Sequence, residues 1–398
     1  MENKNVPSIR FKGFIDDWEQ RKLGEAVTFL NGRAYKQKEL LDKGKYRVLR
    51  VGNFNTNDFW YYSDLELEDN KYANKGDLLY LWATNFGPEI WKEERVIYHY
   101  HIWKLDINDV NLDKNYLYTW LITDKERIKQ TTNGTTMVHI TKGGMEERLF
   151  QNPTNIDEQI KIGNLFEQLD ESIALQEREL ELMKVTKKGF LQQIFPENKR
   201  KYPNIRFENF HEEWQQRKLG EESDVRDGTH DSPKYFEKGY PLVTSKNLKS
   251  YGLDLSDVSF ISNEDFELIN NRSKVDIGDI LFGMIGTIGN PVLVERNDFA
   301  IKNVALIKEN NNTSNHFLIQ LFKSPIFDRY IANENAGGTQ KFLALSKIRN
   351  FEFLSPSKNE QKQISNFFKR LDETITLQEK KIENLKNIKS AFLQKMFA

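Results

Sequence analysis

The chain is written twice. PSIRFKGFIDDWEQRKLGE at residues 7–25 returns as PNIRFENFHEEWQQRKLGE at 203–221, with twelve of nineteen positions identical. The later matches keep their order: YRVLRVGNF (46–54) with YPLVTSKNL (240–248), then KGDLLYLWATNFG (75–87) with IGDILFGMIGTIG (277–289). Last come two long segments, 157–195 and 359–397, each with Glu-Gln at its second and third positions. At 398 residues the chain is too long for one ordinary core. Each half is therefore expected to be a globular module followed by a helix.

Within the modules, short β-type runs such as RVLRVGNF, DLLYLW, DILFGMIG and PVLVE alternate with turn signals and with helical stretches like YLYTWLITDKERIKQ. The reading is mixed α/β. The long segments carry apolar positions in steps of three and four: Ile162, Leu165, Leu169, Ile173, Gln176, Leu180, Met183, Lys187, Phe190 and Ile194. Adding 202 to each gives Ile364, Phe367, Leu371, Ile375, Gln378, Ile382, Leu385, Lys389, Phe392 and Met396, so the seam itself is duplicated. Each helix should be on the order of 55–60 Å long, more than one module can cover, so one helix is the natural partner of the other. Antiparallel pairing about an approximate two-fold would bring Gln176 to Gln378, Ile173 to Ile382, Leu169 to Leu385, Leu180 to Ile375 and Met183 to Leu371. The alternative leaves both glutamines at the wet edge of the seam. Lys184, Lys187 and Lys188, like Lys386, Lys389 and Lys395, gather late in their helices and suit helix C-termini.

Composition narrows what these modules do. Lys and Arg number 58 against 59 Asp and Glu, which argues against coating nucleic acid by bulk charge but leaves local basic faces open. There is no cysteine, so no disulfide framework or cysteine metal site. No apolar run approaches the roughly 18 residues of a membrane span, and Met1 to Phe14 lacks the apolar core of a signal peptide. A cytoplasmic protein is expected.

VRDGTHDSP, residues 225–233, looks like a site for chemistry, with Asp227, Thr229, His230 and Asp231 around Gly228. The first half answers with Asn31-Gly32-Arg33-Ala34, which keeps the glycine and drops carboxylate and imidazole. A duplicated catalytic site would not discard its reactive groups in one copy unless that copy were dead, whereas a duplicated reading head would vary there. The glycine suits a tight turn. No phosphate loop, H-E-x-x-H, G-x-S-x-G or D/N-P-P-Y tetrapeptide occurs, and GMIGTIG has the wrong spacing for a dinucleotide loop. His99, dense with Tyr98, Tyr100 and His101, reads better as a strand face than as a metal site. No enzyme is evident.

Taken together, the chain resembles the specificity subunit of Type I restriction-modification systems along essentially its whole length. The carrying features are the duplicated W-x-Q-R-K-L-G-E (18–25, 214–221), D-G-T-H-x-x-P-K-Y (227–235), the paired G-D-L/I-L (76–79, 278–281), G-G-T-Q (337–340) and L-D-E-S/T-I-x-L-Q-E (169–177, 371–379). The resemblance implies an α+β protein with two target-recognition domains in tandem, at 1–152 and 199–355. Two long antiparallel spacer helices, at 153–198 and 356–398, would relate them by a pseudo-two-fold. Each domain would read half of a split double-stranded DNA target, and the helices would fix the spacing and dock two modification subunits. Those partners would methylate adenine with S-adenosylmethionine, and with two restriction subunits added the assembly would translocate and cleave DNA using ATP and magnesium. This chain would bind none of these cofactors and catalyse nothing. The first module departs from the pattern in lacking D-G-T-H. Competing readings are a solitary methyltransferase or nuclease and a helical scaffold with no DNA role.

Two modules about a two-fold would meet a duplex about one helical turn apart, roughly 34–36 Å. The segments after the glycines are expected to reach DNA: Arg33, Tyr35 and Lys36 in the first module, Thr229, His230, Lys234 and Tyr235 in the second. So are Arg50 and Asn53, and Lys246 and Asn247, in the matched YRVLRVGNF and YPLVTSKNL segments. NGTTMVHITKGG (133–144) and AGGTQKFLALSKI (336–348) add Thr135, Thr136, Gln340 and Lys341 near the duplex, with Lys142 and Lys347 on phosphates. A capped helix start at Thr141 or Ser346 competes with the last assignment and could coexist with it.

Overall fold

The computed structural model describes residues 7–55, 57–83, 86–131, 140–197, 200–310, 312–334 and 342–397. It divides into two compact units, one of residues 1–177 with 380–398, the other of 178–379. The division cuts each long helix near its middle, so each unit owns a module, half of one helix and half of the other.

In the first unit, four antiparallel strands run in the order Val27–Asn31, Ile102–Ile107, Leu78–Leu81, Gly87–Ile90. A second sheet is ordered Tyr61–Ser63, Tyr46–Leu49, Val96–Tyr98, Tyr72–Ala73, and its central pair is parallel. Trp18–Lys22 closes the module by pairing antiparallel with Leu149–Pro153. Leu78–Leu81 is buried at every position, which explains its unbroken apolar run. The second unit repeats the plan with Val225–Asp227, Val304–Ile307, Ile280–Gly283 and Gly289–Leu293, a second sheet of Ser259–Ile261, Tyr240–Val243 and Ala300–Ile301, and Gln215–Lys218 on Glu352–Ser355.

The halves differ in their helices. Lys114–Thr131 is continuous in the first unit, whereas Asn315–Phe322 and Pro325–Glu334 are separate in the second, because Pro325 lacks the amide a continuing helix needs and suits a first turn. The second unit also adds Asn263–Ser273, capped by the Ser262 hydroxyl, which accepts from the Asp265 amide.

The long helices are Ile156–Gln193 and Lys358–Met396. Asn155 caps the first, its side chain accepting from the Asp157 amide at 2.8 Å, and Ser357 accepts from the Glu360 amide at 3.4 Å at the second. All twenty seam positions read from the sequence are buried or half-buried, Ile173 and Ile382 deeply so. Within each unit the two helix halves run antiparallel. In the first unit Lys389 pairs with Asp170 and Lys386 with Glu177 at 2.6 Å. The second unit has the same pairs 202 residues on, Lys187 with Asp372 and Lys184 with Glu379 at 2.7 Å. These four lysines, which the sequence suggested for helix ends, thus draw a carboxylate from the facing helix. Gln176 and Gln378 belong to different units, and the Gln378 amide donates to Glu179 at 3.4 Å within its own.

Each module docks on its helix through a buried ion pair. Arg10 grips Glu158 with two bonds of 2.6 and 2.7 Å, and Arg206 grips Glu360 with two of 2.8 Å. Among the described residues no helix is long and apolar enough to cross a membrane.

Candidate nucleic-acid interface

In each module the glycine segment runs beside the loop that carries the chain from the second sheet into the first. Gly32 donates to Ile102 O (3.2 Å), Arg33 to Tyr98 O (3.1 Å), Tyr100 to Arg33 O (3.1 Å) and His99 to Leu49 O (2.9 Å). In the second module Gly228 donates to Val304 O (2.9 Å), Thr229 to Ile301 O (3.0 Å), Asn303 to Thr229 O (3.1 Å) and Lys302 to Val243 O (2.9 Å). The backbone is the same device twice. It equates Arg33 with Thr229, Ala34 with His230, His99 with Lys302 and Tyr100 with Asn303.

This corrects the reason given for the glycines. Neither Gly32 nor Gly228 has a positive φ, so no tight turn requires them. A Cβ on either would lie 2.3 Å from a carbonyl oxygen, His99 O in one case and Ile301 O in the other. Close approach of two backbones fixes the residue. Gly228→Ala is expected to cost about 1–3 kcal/mol, since backbone must move to admit the methyl group. Gly143→Ala, in open space on a helix, should cost nothing or stabilise slightly. Hydrogen exchange resolved by peptide checks each variant in its own unit, and unchanged protection in the second unit of Gly228→Ala would overturn it.

On the first platform the side chains are aromatic. Tyr100 is exposed, Trp82 donates its indole N–H to Tyr100 O at 2.8 Å, and the Trp82 ring meets His101 edge-on at 4.8 Å. His99 stacks on Tyr35 at 6.5 Å. Burial, then His101 and Arg50, push His99 down to about 4, so its imidazole is neutral at pH 7. Burial pushes the Tyr35 hydroxyl up. Arg33 pairs with Glu39 at 2.8 Å, and Lys36 is exposed while its amide donates to the same carboxylate, which lies below its usual range chiefly for that reason.

On the second platform the side chains are polar. His230 sits between Asp227 (Nε2 to Oδ2, 2.9 Å) and Asn303 (Nδ1 to Oδ1, 2.8 Å), and Asp227 also pairs with Arg272 from the added helix. The Asn303 and Asp227 bonds raise the His230 pKa. Lys302 reaches Ser232 at 2.6 Å, and the Thr229 hydroxyl accepts from the Asp231 amide at 3.1 Å. Lys234 and Tyr235 are exposed on the following loop.

Elsewhere the candidates that lie within the described residues have partners in their own module. Asn247 is 2% exposed, its oxygen bonded to Thr244 and its nitrogen to the carbonyls of Asp254 and Asp257. Asn53 does the same work in the first module, with Arg50 N on its oxygen and the carbonyls of Asn57 and Phe59 on its nitrogen. Both hold their own loops. Arg50 donates to Phe59 O at 3.0 Å over the Tyr61 ring, and exposed Lys246 meets Asp257 at 3.2 Å. Thr141 does cap a helix start, accepting from Gly144 N at 3.1 Å with Lys142 next to it, but the second module's helix is preceded by Ala344, so Ser346 is no cap. Lys347 is tied to the Glu334 carbonyl (2.8 Å) and carboxylate (3.0 Å). Thr135, Thr136, Gln340 and Lys341 lie outside the described residues.

Trp82, Tyr100, Lys302 and Asn303 were missed as candidates. The signal was present: YHYHIW and AIKNVA occupy the same place between the same strands and share almost nothing. Among the described residues no group of three or more histidines and carboxylates could hold a metal ion.

Comparison with known proteins fits this duplicated plan. The family described as Type I restriction modification DNA specificity domain matches twice, at residues 15–184 and 211–387. The chain is 22% identical over 403 residues to the specificity subunit of the Type I restriction enzyme MjaVIII of Methanocaldococcus jannaschii, covering 95% of this chain and 91% of that one. It is 22% identical over 414 residues to the EcoBI specificity subunit of Escherichia coli, covering 96% and 86%. Its fold resembles the crystal structure of a Type I restriction-modification S subunit from M. genitalium, with a TM-score of 0.61, 16% identity and 99% of both chains covered. A chain from a structural study of type I system assembly and conformational transition gives 0.58, with 14% identity over 97% of this chain and 99% of that one. The chain belongs to the Type I restriction-modification DNA specificity family and carries that family's domain twice.

Proposed function

We propose that this chain supplies the address of a Type I restriction-modification complex, each module reading one half of a bipartite duplex sequence. The observation that supports this most is the duplicated platform: one backbone device, with main-chain bonds matched pair for pair, carrying unlike side chains. Catalysis would conserve those side chains, whereas reading two different half-sites requires them to differ. Tyr100, with Trp82 beneath it, offers an apolar and stacking surface suited to a thymine methyl. Lys302, Asn303, Thr229 and His230 offer hydrogen bonds to base edges, and Lys36, Lys234 and Lys142 remain candidates for phosphates. The long helices set the interval between half-sites and dock two modification subunits, which bring S-adenosylmethionine to adenine. Restriction subunits, where they join, bring ATP and magnesium chemistry, and this chain contributes no reacting group.

Module exchange tests the reading. Replacing residues 26–150 by the matching segment of a relative, in cells that also express the modification subunit, should change one half of the methylated motif and leave the other half and the spacing intact. Sequencing of methylated adenines gives the answer. A motif altered in both halves, or unaltered, would overturn independent reading, and methylation or cleavage by the purified chain alone would favour a solitary enzyme.

A further inference from the structure

We infer that Asn303 reads a base in the second module's half-site, and that His230 is a positioning residue whose proton decides which end of the Asn303 amide faces the DNA. The inference rests on the DNA-reading role proposed above and adds to it a chemistry for one position.

The geometry leaves few choices. Asp227 is 7% exposed and held on its other oxygen by Arg272. A carboxylate so placed accepts hydrogen bonds only, so the His230 Nε2 facing it at 2.9 Å carries a hydrogen. The other ring nitrogen faces the Asn303 amide at 2.8 Å. Protonated, Nδ1 donates to the amide oxygen and leaves the NH2 group turned outward. Deprotonated, Nδ1 must accept, so the amide turns over, gives its NH2 to the ring and presents its oxygen.

The Asn303 backbone stays fixed through this. Its amide donates to Thr229 O at 3.1 Å, its carbonyl accepts from the Ser245 hydroxyl at 3.4 Å, and its φ is 55°. A non-glycine residue in the left-handed region is held there by its surroundings, as at many functional sites. The side chain is half-buried, and its nitrogen has no hydrogen bond among the described residues. It is free to meet a ligand.

The two states read different edges. An outward NH2 suits the N7 and O6 acceptors of guanine, and an outward carbonyl suits the amino groups of adenine or cytosine. The charged groups around His230 are Asp227 at the end of its own strand, Arg272 from Asn263–Ser273, Lys302 beside Asn303 with its ammonium on Ser232, and Asp231 next in the chain. The bonds to Asn303 and Asp227 raise the imidazole's pKa, against burial and Arg272, so the NH2-outward state extends upward toward neutral pH and gives way as pH rises through that value. The first module has Asn31, Ala34 and Tyr100 at the matching places and cannot do this, so it serves as an internal control.

The test uses the intact chain with its modification partner, titrated with duplexes carrying single base-pair changes in each half-site, between about pH 5.5 and about pH 8.5. At one position of the second half-site, wild-type discrimination should change by about tenfold or more across that range. H230Q should flatten the profile while keeping discrimination at neighbouring positions. N303A should lose discrimination at that position alone at every pH. Retained discrimination at the neighbouring positions of the second half-site shows that the second unit, which carries both substitutions, is folded in each variant. An unchanged pH profile in H230Q, a flat profile in wild type, or an N303A complex unaltered throughout the second half-site overturns the inference. Failure of the underlying role looks different: the wild-type complex would then discriminate in neither half.

Discussion

Glu158→Ala will cost the first unit about 3–5 kcal/mol, and Glu360→Ala will do the same to the second. The two carboxylates are 0% and 1% exposed, and each receives two guanidinium bonds from the arginine of a repeated I-R-F segment. Deleting the acid strands an arginine whose own side chain is 11% or 15% exposed, and a guanidinium cannot shed its charge to escape. In the second unit Trp214 also loses its acceptor, since its indole N–H donates to Glu360 at 3.3 Å, whereas Arg206 keeps the Glu212 carbonyl at 2.7 Å. A paired replacement, Arg10→Met with Glu158→Leu, should recover most of the loss, because breaking a buried pair costs more than never having one. Hydrogen exchange resolved by peptide, which reports each unit by itself, decides this for the single and double variants. A Glu158→Ala variant within about 1 kcal/mol of wild type would mean that the pair is solvated in solution.

That pair shows what the sequence could and could not tell. I-R-F and the acid before glutamine both recur in each half, so Arg10, Arg206, Glu158 and Glu360 were visible as retained residues. Nothing in the sequence joined residue 10 to residue 158, because pairing is a property of the packed chain. The helices were legible because their period is local. Their register was less so: four ion pairs between facing helix halves use lysines that composition alone assigned to helix C-termini. Strand positions were legible where a run is apolar throughout, as at Leu78–Leu81.

The candidate site was legible as a place, whereas its local bonding was not. Gly32 and Gly228 were found because both copies keep them, yet the cause is a neighbouring backbone 2.3 Å from a would-be Cβ, which lies about 70 residues away in sequence. Asn53 and Asn247 were chosen for their chemistry, but short polar residues before a turn often bond their own backbone, and these do. Lys302 and Asn303 were passed over because only the fold sets them beside Thr229 and His230.

Phe397→Ala is expected to destabilise the first unit by about 3–5 kcal/mol although it lies at the far end of the chain from that module's opening strand. The ring is 4% exposed, with centroid distances of 6.3 Å to Trp18, 5.6 Å to Tyr116 and 6.1 Å to Phe166. The preceding turn is fastened too, since Ser8 and Ile9 both donate to the Lys395 carbonyl, at 2.9 and 3.2 Å. Truncation would leave a cavity walled by three aromatic rings, which cannot collapse without tilting Trp18 off the core. The duplicate supplies the matching case: Phe195, 202 residues earlier, lies 6.3 Å from Trp214 and 5.6 Å from Phe317 in the second unit. Closing a loop of several hundred residues is affordable because its entropy grows only with the logarithm of length. With two units in one chain a single unfolding midpoint is the wrong observable, so hydrogen exchange resolved by peptide is the measurement. Phe397→Ala should lose protection first in peptides holding Trp18 and Tyr116, and Phe195→Ala in those holding Trp214 and Phe317. Equal loss in both sets from either variant would show that the terminal phenylalanines do not anchor their own units separately.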